Sequence, residues 1–145
     1  MVLIQLPPNL AFHAERAAHF YKILKQYRGY AFALEARHGS WVEPDSLRLL
    51  ESAKISLVIA ESGGRWPYEE ALTGKAVYIR LHGPKGYDSA YTATFLDKLA
   101  GKIKKWRKQQ PVWVYFNNDG HGYALDNAQK LQQLLQGTSK NPDLT

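Results

Sequence analysis

Two kinds of hydrophobic spacing alternate along the chain. Five short segments, at residues 2–6, 31–36, 56–60, 76–81 and 112–116, are rich in Val, Ile, Leu, Tyr and Phe. Most are bounded by Pro, Gly or Asn, and this pattern predicts β-strands. Between them, apolar residues recur at helical spacing. Ala17, Phe20, Tyr21, Leu24 and Tyr27 form one stripe; Leu96, Leu99, Ile103 and Trp106 form a second; Ala124, Ala128, Leu131 and Leu135 form a third. Pro44 suits the first turn of a short helix carrying Leu47 and Leu50. Residues 61–75 predict at most one helical turn, at 68–72.

Strands that alternate with helices imply a parallel sheet with right-handed crossovers. No repeat, low-complexity run or linker interrupts the pattern, so residues 1–136 are expected to form one domain. Residues 137–145 are polar and are expected to fray.

The faces of the strands carry more information than their positions. In Tyr78-Ile79-Arg80-Leu81-His82-Gly83, alternation sets Tyr78, Arg80 and His82 against Val77, Ile79 and Leu81. Phe32, Leu34 and Ala36 likewise oppose Ala33, Glu35 and Arg37, and Val112, Val114 and Phe116 oppose Trp113, Tyr115 and Asn117. Gln5 lies on the same face as Leu3 and Pro7. Several strands thus pair an apolar face with one that holds a polar group near its C-terminal end. Helices would cover the apolar face, and a barrel lumen would receive the other. A doubly wound sheet buries both faces under helices and would leave Glu35 and Arg80 poorly placed. The expected fold is therefore α/β: a partial TIM-like (β/α) barrel of five parallel strands alternating with helices.

Four motifs occur in order: Ile4-Gln5-Leu6-Pro7-Pro8; Leu34-Glu35-Ala36-Arg37-His38 with Ser40-Trp41; Tyr78 to Gly83 with Tyr87 and Tyr91; and Tyr115-Phe116-Asn117-Asn118 with Asn127-Ala128. Together they resemble the YecE-like family, domain-of-unknown-function family 72, whose fold is TIM-barrel-like. The resemblance covers nearly the whole chain and implies a fold and little chemistry. Glu61 stands where that family usually has Asp. The family's N-terminal strands, with their Gly-Trp and Asn-Thr-Phe-Tyr signatures, have no counterpart, so the chain resembles the C-terminal part of the domain. A full barrel takes ~250 residues. Five strands cannot close a small barrel, which leaves the first and last as apolar edges that invite pairing with another chain. Self-association, or pairing with a missing N-terminal half, is the expectation.

Composition narrows the classes further. A hydrophobic content of 45% and a charged content of 22% suit a globular core, and no apolar stretch approaches the ~20 residues of a membrane span. Cys is absent, which removes disulfides, thiolate nucleophiles and Cys-ligated zinc. With no secretory signal pattern, a cytoplasmic protein is expected. A net charge of +6 favours acidic partners. The lysines Lys98, Lys102 and Lys105 lie opposite the apolar stripe of their helix, as on any solvated face. No helix-turn-helix, RRM or KH signature accompanies them, so a nucleic-acid-associated module is the weaker alternative.

Catalytic residues of TIM-barrel enzymes gather at the C-terminal ends of the strands. Glu35, Arg37, His38, Glu61, Arg80, His82, Tyr115, Asn117 and Asp119 are expected there. Glu35 and His82 are of types that burial can tune for proton transfer. Arg37 and Arg80 are suited to bidentate hydrogen bonds with a carboxylate or phosphate. Glu61, Tyr87, Tyr115 and Asn117 complete the substrate-binding set. The plain alternative is that Glu35 and Glu61 only neutralise the two arginines. Glu35, Glu61, His82 and Asp119 are acceptable metal ligands, but no spacing matches a metal motif and two arginines oppose a cation. No metal or cofactor is assigned. Trp41, Trp66, Tyr87 and Tyr91 fall in rim loops, where aromatics either stack on a ligand or close the loop over the core. The reading is a rim that binds a small polar or anionic molecule, with acid–base or hydrolytic chemistry in a complete barrel. An inactive fragment is the other alternative.

Overall fold

Each segment predicted as a strand forms one: β1 (Val2–Gln5), β2 (Phe32–Glu35), β3 (Ser56–Glu61), β4 (Val77–Leu81) and β5 (Val112–Phe116). Helices α1 (Ala14–Leu24), α2 (Pro44–Ala53), α3 (Ala93–Trp106) and α4 (Tyr123–Gln136) accompany them. This computed structural model describes residues 1–136, and the tail expected at 137–145 lies outside them. No described helix is long and apolar enough to cross a membrane.

Every neighbouring strand pair is parallel, and the strand order β1-β2-β3-β4-β5 is the chain order. A doubly wound sheet reverses direction at a switch point; here each crossover advances one strand the same way. The sheet is therefore a curled segment of a (β/α) barrel. No pairing joins β1 to β5 among the described residues, so both are edges.

The outer face is covered in two patches. Leu34, Ala36 and Leu57 pack with Ala17, Tyr21 and Leu50 under α1 and α2. Ile59, Val77, Ile79 and Leu81 pack with Leu96, Leu99, Ile103 and Leu131 under α3 and α4. The inner face holds a smaller cluster of Ala33, Val58, Ala60 and Tyr78, with Leu3 against it. The alternation read from the sequence thus sorts the two faces.

Local chemistry sets the helix ends. Pro44 opens α2, where its missing N–H costs nothing, and Lys54 closes it in the left-handed region at φ 58°. The Thr92 hydroxyl caps α3 by accepting from Phe95 N at 3.2 Å. The expected α1 stripe stops short: the helix ends at Leu24, Lys25 caps it, and Tyr27 lies beyond it, 58% exposed.

Between β3 and β4 no helix forms, and polar side chains hold the crossover instead. Thr73 Oγ1 accepts from Leu57 N at 2.8 Å and donates to Ile55 O at 2.6 Å. Ser56 Oγ donates to Ala76 O at 2.7 Å. At the other end of β4, Gly83 has φ +91°, and a Cβ there would fall 1.9 Å from Gly86 O. Only glycine lets the chain leave the strand so sharply after His82.

Candidate functional site at the C-terminal rim

Glu35, the last residue of β2, is fully buried on the inner face. Its Oε2 accepts from Arg80 Nη1 at 2.7 Å, and its Oε1 accepts from Gln5 Nε2 at 2.8 Å. Arg37 Nε reaches the same Oε1 at 3.4 Å. Side chains from β1, from just past β2 and from β4 therefore converge on one carboxylate. Arg80 Nε in turn donates to Asn117 Oδ1 at 3.0 Å, which extends the chain of contacts past the end of β5.

His82 lies 1% exposed beside this pair, its Nε2 3.4 Å from Glu35 Oε2. The contact is close enough to act electrostatically but is not aligned for a hydrogen bond. Among the described residues both ring nitrogens lack a hydrogen-bond partner. Buried polar groups normally have partners, so an imidazole with two open nitrogens is poised to receive one.

Burial pushes the Glu35 carboxyl upward, but the His82 imidazole, the Gln5 amide and the Arg80 charge together outweigh it. The carboxyl is held at about 2. It is ionised throughout the neutral range and has no proton to donate there. The pair is also only weak evidence for stability, because desolvation of two charges offsets most of their attraction.

Aromatic rings frame the cluster. The Arg37 guanidinium lies 4.6 Å from the Trp66 ring centroid. Arg65 lies 5.6 Å from the same ring and 4.7 Å from Tyr87. The Tyr87 ring meets His82 edge-on at 5.9 Å. On the β5 side, Tyr115 stacks on Tyr78 at 4.9 Å. Trp113 and Tyr115 are 47% and 42% exposed, since among the described residues β5 has no neighbour beyond it.

The profile of a family of proteins of unknown function, DUF72, matches residues 1–145. The chain belongs to the DUF72 family. Two solved DUF72 structures share its fold. A DUF72 family protein from Enterococcus faecalis V583 superposes with a TM-score of 0.82 at 23% identity, over 99% of this chain and 62% of that one. One from Thermotoga maritima MSB8 gives a TM-score of 0.83 at 26% identity, over 93% of this chain and 57% of that one. This chain thus spans less than two thirds of either DUF72 protein. No curated protein matches it.

Within this DUF72 chain the structure brings together Glu35, Arg37, Arg80, His82 and Asn117, with Tyr87 and Tyr115 at the margin. It places Glu61 elsewhere. Glu61 lies on the outer side of β3, where its carboxylate accepts from Gly63 N at 2.9 Å and from the Tyr91 hydroxyl. Gly83 N donates to that same hydroxyl at 2.7 Å, so Glu61 and Tyr91 tie together the loops that follow β3 and β4. His38 is spent locally, its Nδ1 accepting from Ser40 N at 3.2 Å. Asp119 is exposed at the start of a short 3₁₀ turn. No three His, Asp or Glu side chains among the described residues are grouped to share a metal ion.

The loop aromatics divide. Trp41 is buried, donates from Nε1 to Leu10 O at 2.7 Å and packs edge-on against Phe12. Tyr91 is buried against Phe95. Trp66 and Tyr87 alone of the four stand at the cluster. Arg65 was not singled out from the sequence. Its signal was the run Gly63-Gly64-Arg65-Trp66-Pro67 directly after a strand's C-terminal end, where rim loops carry function.

Proposed function

We propose that the rim binds a small anionic molecule, with His82 as the group that exchanges a proton with it. The observation that carries this reading is the buried His82 ring, with neither nitrogen in an aligned hydrogen bond among the described residues, beside an ion pair already satisfied. Glu35 then serves as a fixed negative charge. It orients Arg80 and Arg37, while Asn117 holds the other edge of Arg80. The guanidinium groups retain further N–H donors for a ligand. Acid–base or hydrolytic chemistry in a completed barrel is consistent with this arrangement. The nucleic-acid alternative draws no support from the rim: Lys98, Lys102 and Lys105 are exposed on the solvated side of α3, and Lys102 pairs with Glu70.

The test is NMR of the His82 imidazole during titration with inorganic phosphate. A saturable shift, lost in Arg80→Gln, is expected. Anion binding that is unchanged in both His82→Ala and Arg80→Ala would overturn the reading.

A further inference from the structure

Arg37 and Arg65 are held mainly by aromatic faces. Among the described residues Arg65 makes no ion pair, and its partners are the rings of Trp66 and Tyr87. Arg37 touches the already occupied Glu35 Oε1 at the long distance of 3.4 Å and lies over Trp66. An aromatic face attracts a guanidinium without neutralising it. The rim therefore gathers the charges of Arg37, Arg65 and Arg80, and among the described residues Glu35 is the one carboxylate that pairs with any of them. A monoanion would leave that surplus uncompensated. The indole Nε1 of Trp66, whose ring lies under Arg37 and Arg65, is also buried without a partner among the described residues.

From these observations, and resting on the anion-binding reading above, we propose that the ligand is a phosphate monoester carrying a flat ring. Its phosphate is received by Arg37, Arg65 and Arg80, and its ring lies against the Trp66–Tyr87 side of the rim. A phosphate monoester brings a charge of about −1.5 to −2 near neutral pH and three acceptor oxygens, matching the surplus of guanidinium donors. Tyr87 is 46% exposed, so its ring is open to a planar group. Arg65 is the specificity-determining residue of this arrangement: it lies within cation–π range of both rings and adds the charge that separates a dianion from a monoanion.

The experiment compares phenyl phosphate, inorganic phosphate and benzoate by calorimetry on the full chain. Phenyl phosphate is expected to bind most tightly and benzoate most weakly. In Arg65→Gln and Trp66→Leu, affinity for phenyl phosphate is expected to fall by roughly three- to tenfold, the size of one or two lost cation–π contacts. Both variants are on an open loop, and unchanged thermal unfolding verifies that they fold. Benzoate binding as tightly as phenyl phosphate, or Arg65→Gln without effect, overturns the phosphate-monoester proposal while anion binding at the rim stands. If no anion binds and His82 signals never move, the underlying reading fails as well.

Discussion

Arg80 Nη1 reaches Glu35 Oε2 at 2.7 Å although the two residues belong to strands that are not neighbours. β3 lies between them, and the residue opposite Arg80 on β3 is Ala60. Adjacent strands are ~4.8 Å apart, so the guanidinium must cross the inner face of β3 to meet its partner. A methyl group at position 60, itself 1% exposed, leaves that path open.

Ala60→Leu is therefore expected to block the crossing. Overpacking costs about 1–3 kcal/mol, and displacement of Arg80 would add to it by leaving Glu35 short of its strongest partner. Urea denaturation measures the loss, and the phosphate titration should fail in the same variant. A fully stable Ala60→Leu that still binds phosphate would contradict the proposed route.

Glu35 makes stability depend on acid. Its carboxyl is depressed from 4.5 to about 2 on folding, so its contribution is present in full above the unfolded value. It is lost as pH falls from 4.5 toward 2. At about 1.4 kcal/mol per pH unit, the gap is on the order of 3 kcal/mol. Glu35→Gln should be destabilised by on the order of that amount at pH 7, and the difference from wild type should narrow steadily below pH 4.5. A difference that stays constant down to pH 2.5 would show that the charge of Glu35 is not held by the fold.

Tyr91→Phe should loosen the rim without touching the arginines. Its hydroxyl receives Gly83 N at 2.7 Å and bonds Glu61, and burial with the Glu61 carboxylate nearby raises the phenol's pKa. Removing the hydroxyl strands a buried N–H, which costs about 1–3 kcal/mol. Hydrogen exchange at Gly83 should rise by more than exchange in α3, whose own hydrogen bonds are unaffected.

The open edges predict association. Among the described residues β1 and β5 have no outer partner, Val2 is 39% exposed, and Trp113 and Tyr115 are exposed on the inner face of β5. Unpaired apolar edges template further pairing. Light scattering at tens of micromolar should give a mass above one chain that falls on dilution, and Trp113→Lys should lower it. A concentration-independent monomer would exclude this behaviour.

The sequence by itself determined the five strands, three of the four helices with their inward stripes, the short helix after Pro44, and which face of each strand meets the helices. These features were legible because burial is written locally, at a period of two in strands and near 3.6 in helices. Parity even carried information that the grouping by strand ends passed over: Glu61 shares the outer face of β3 with Leu57 and Ile59, so it could not join Glu35. The tertiary structure alone decided which rim groups meet. Whether Arg80 reaches Glu35 depends on the stagger of β2 against β4 and on the small side chain between them, and neither is a property of either strand. The place of Arg65 depends on a loop without periodicity, fixed by the rings it finds there. Contacts between residues far apart in sequence follow from packing across strands, and no local pattern encodes them.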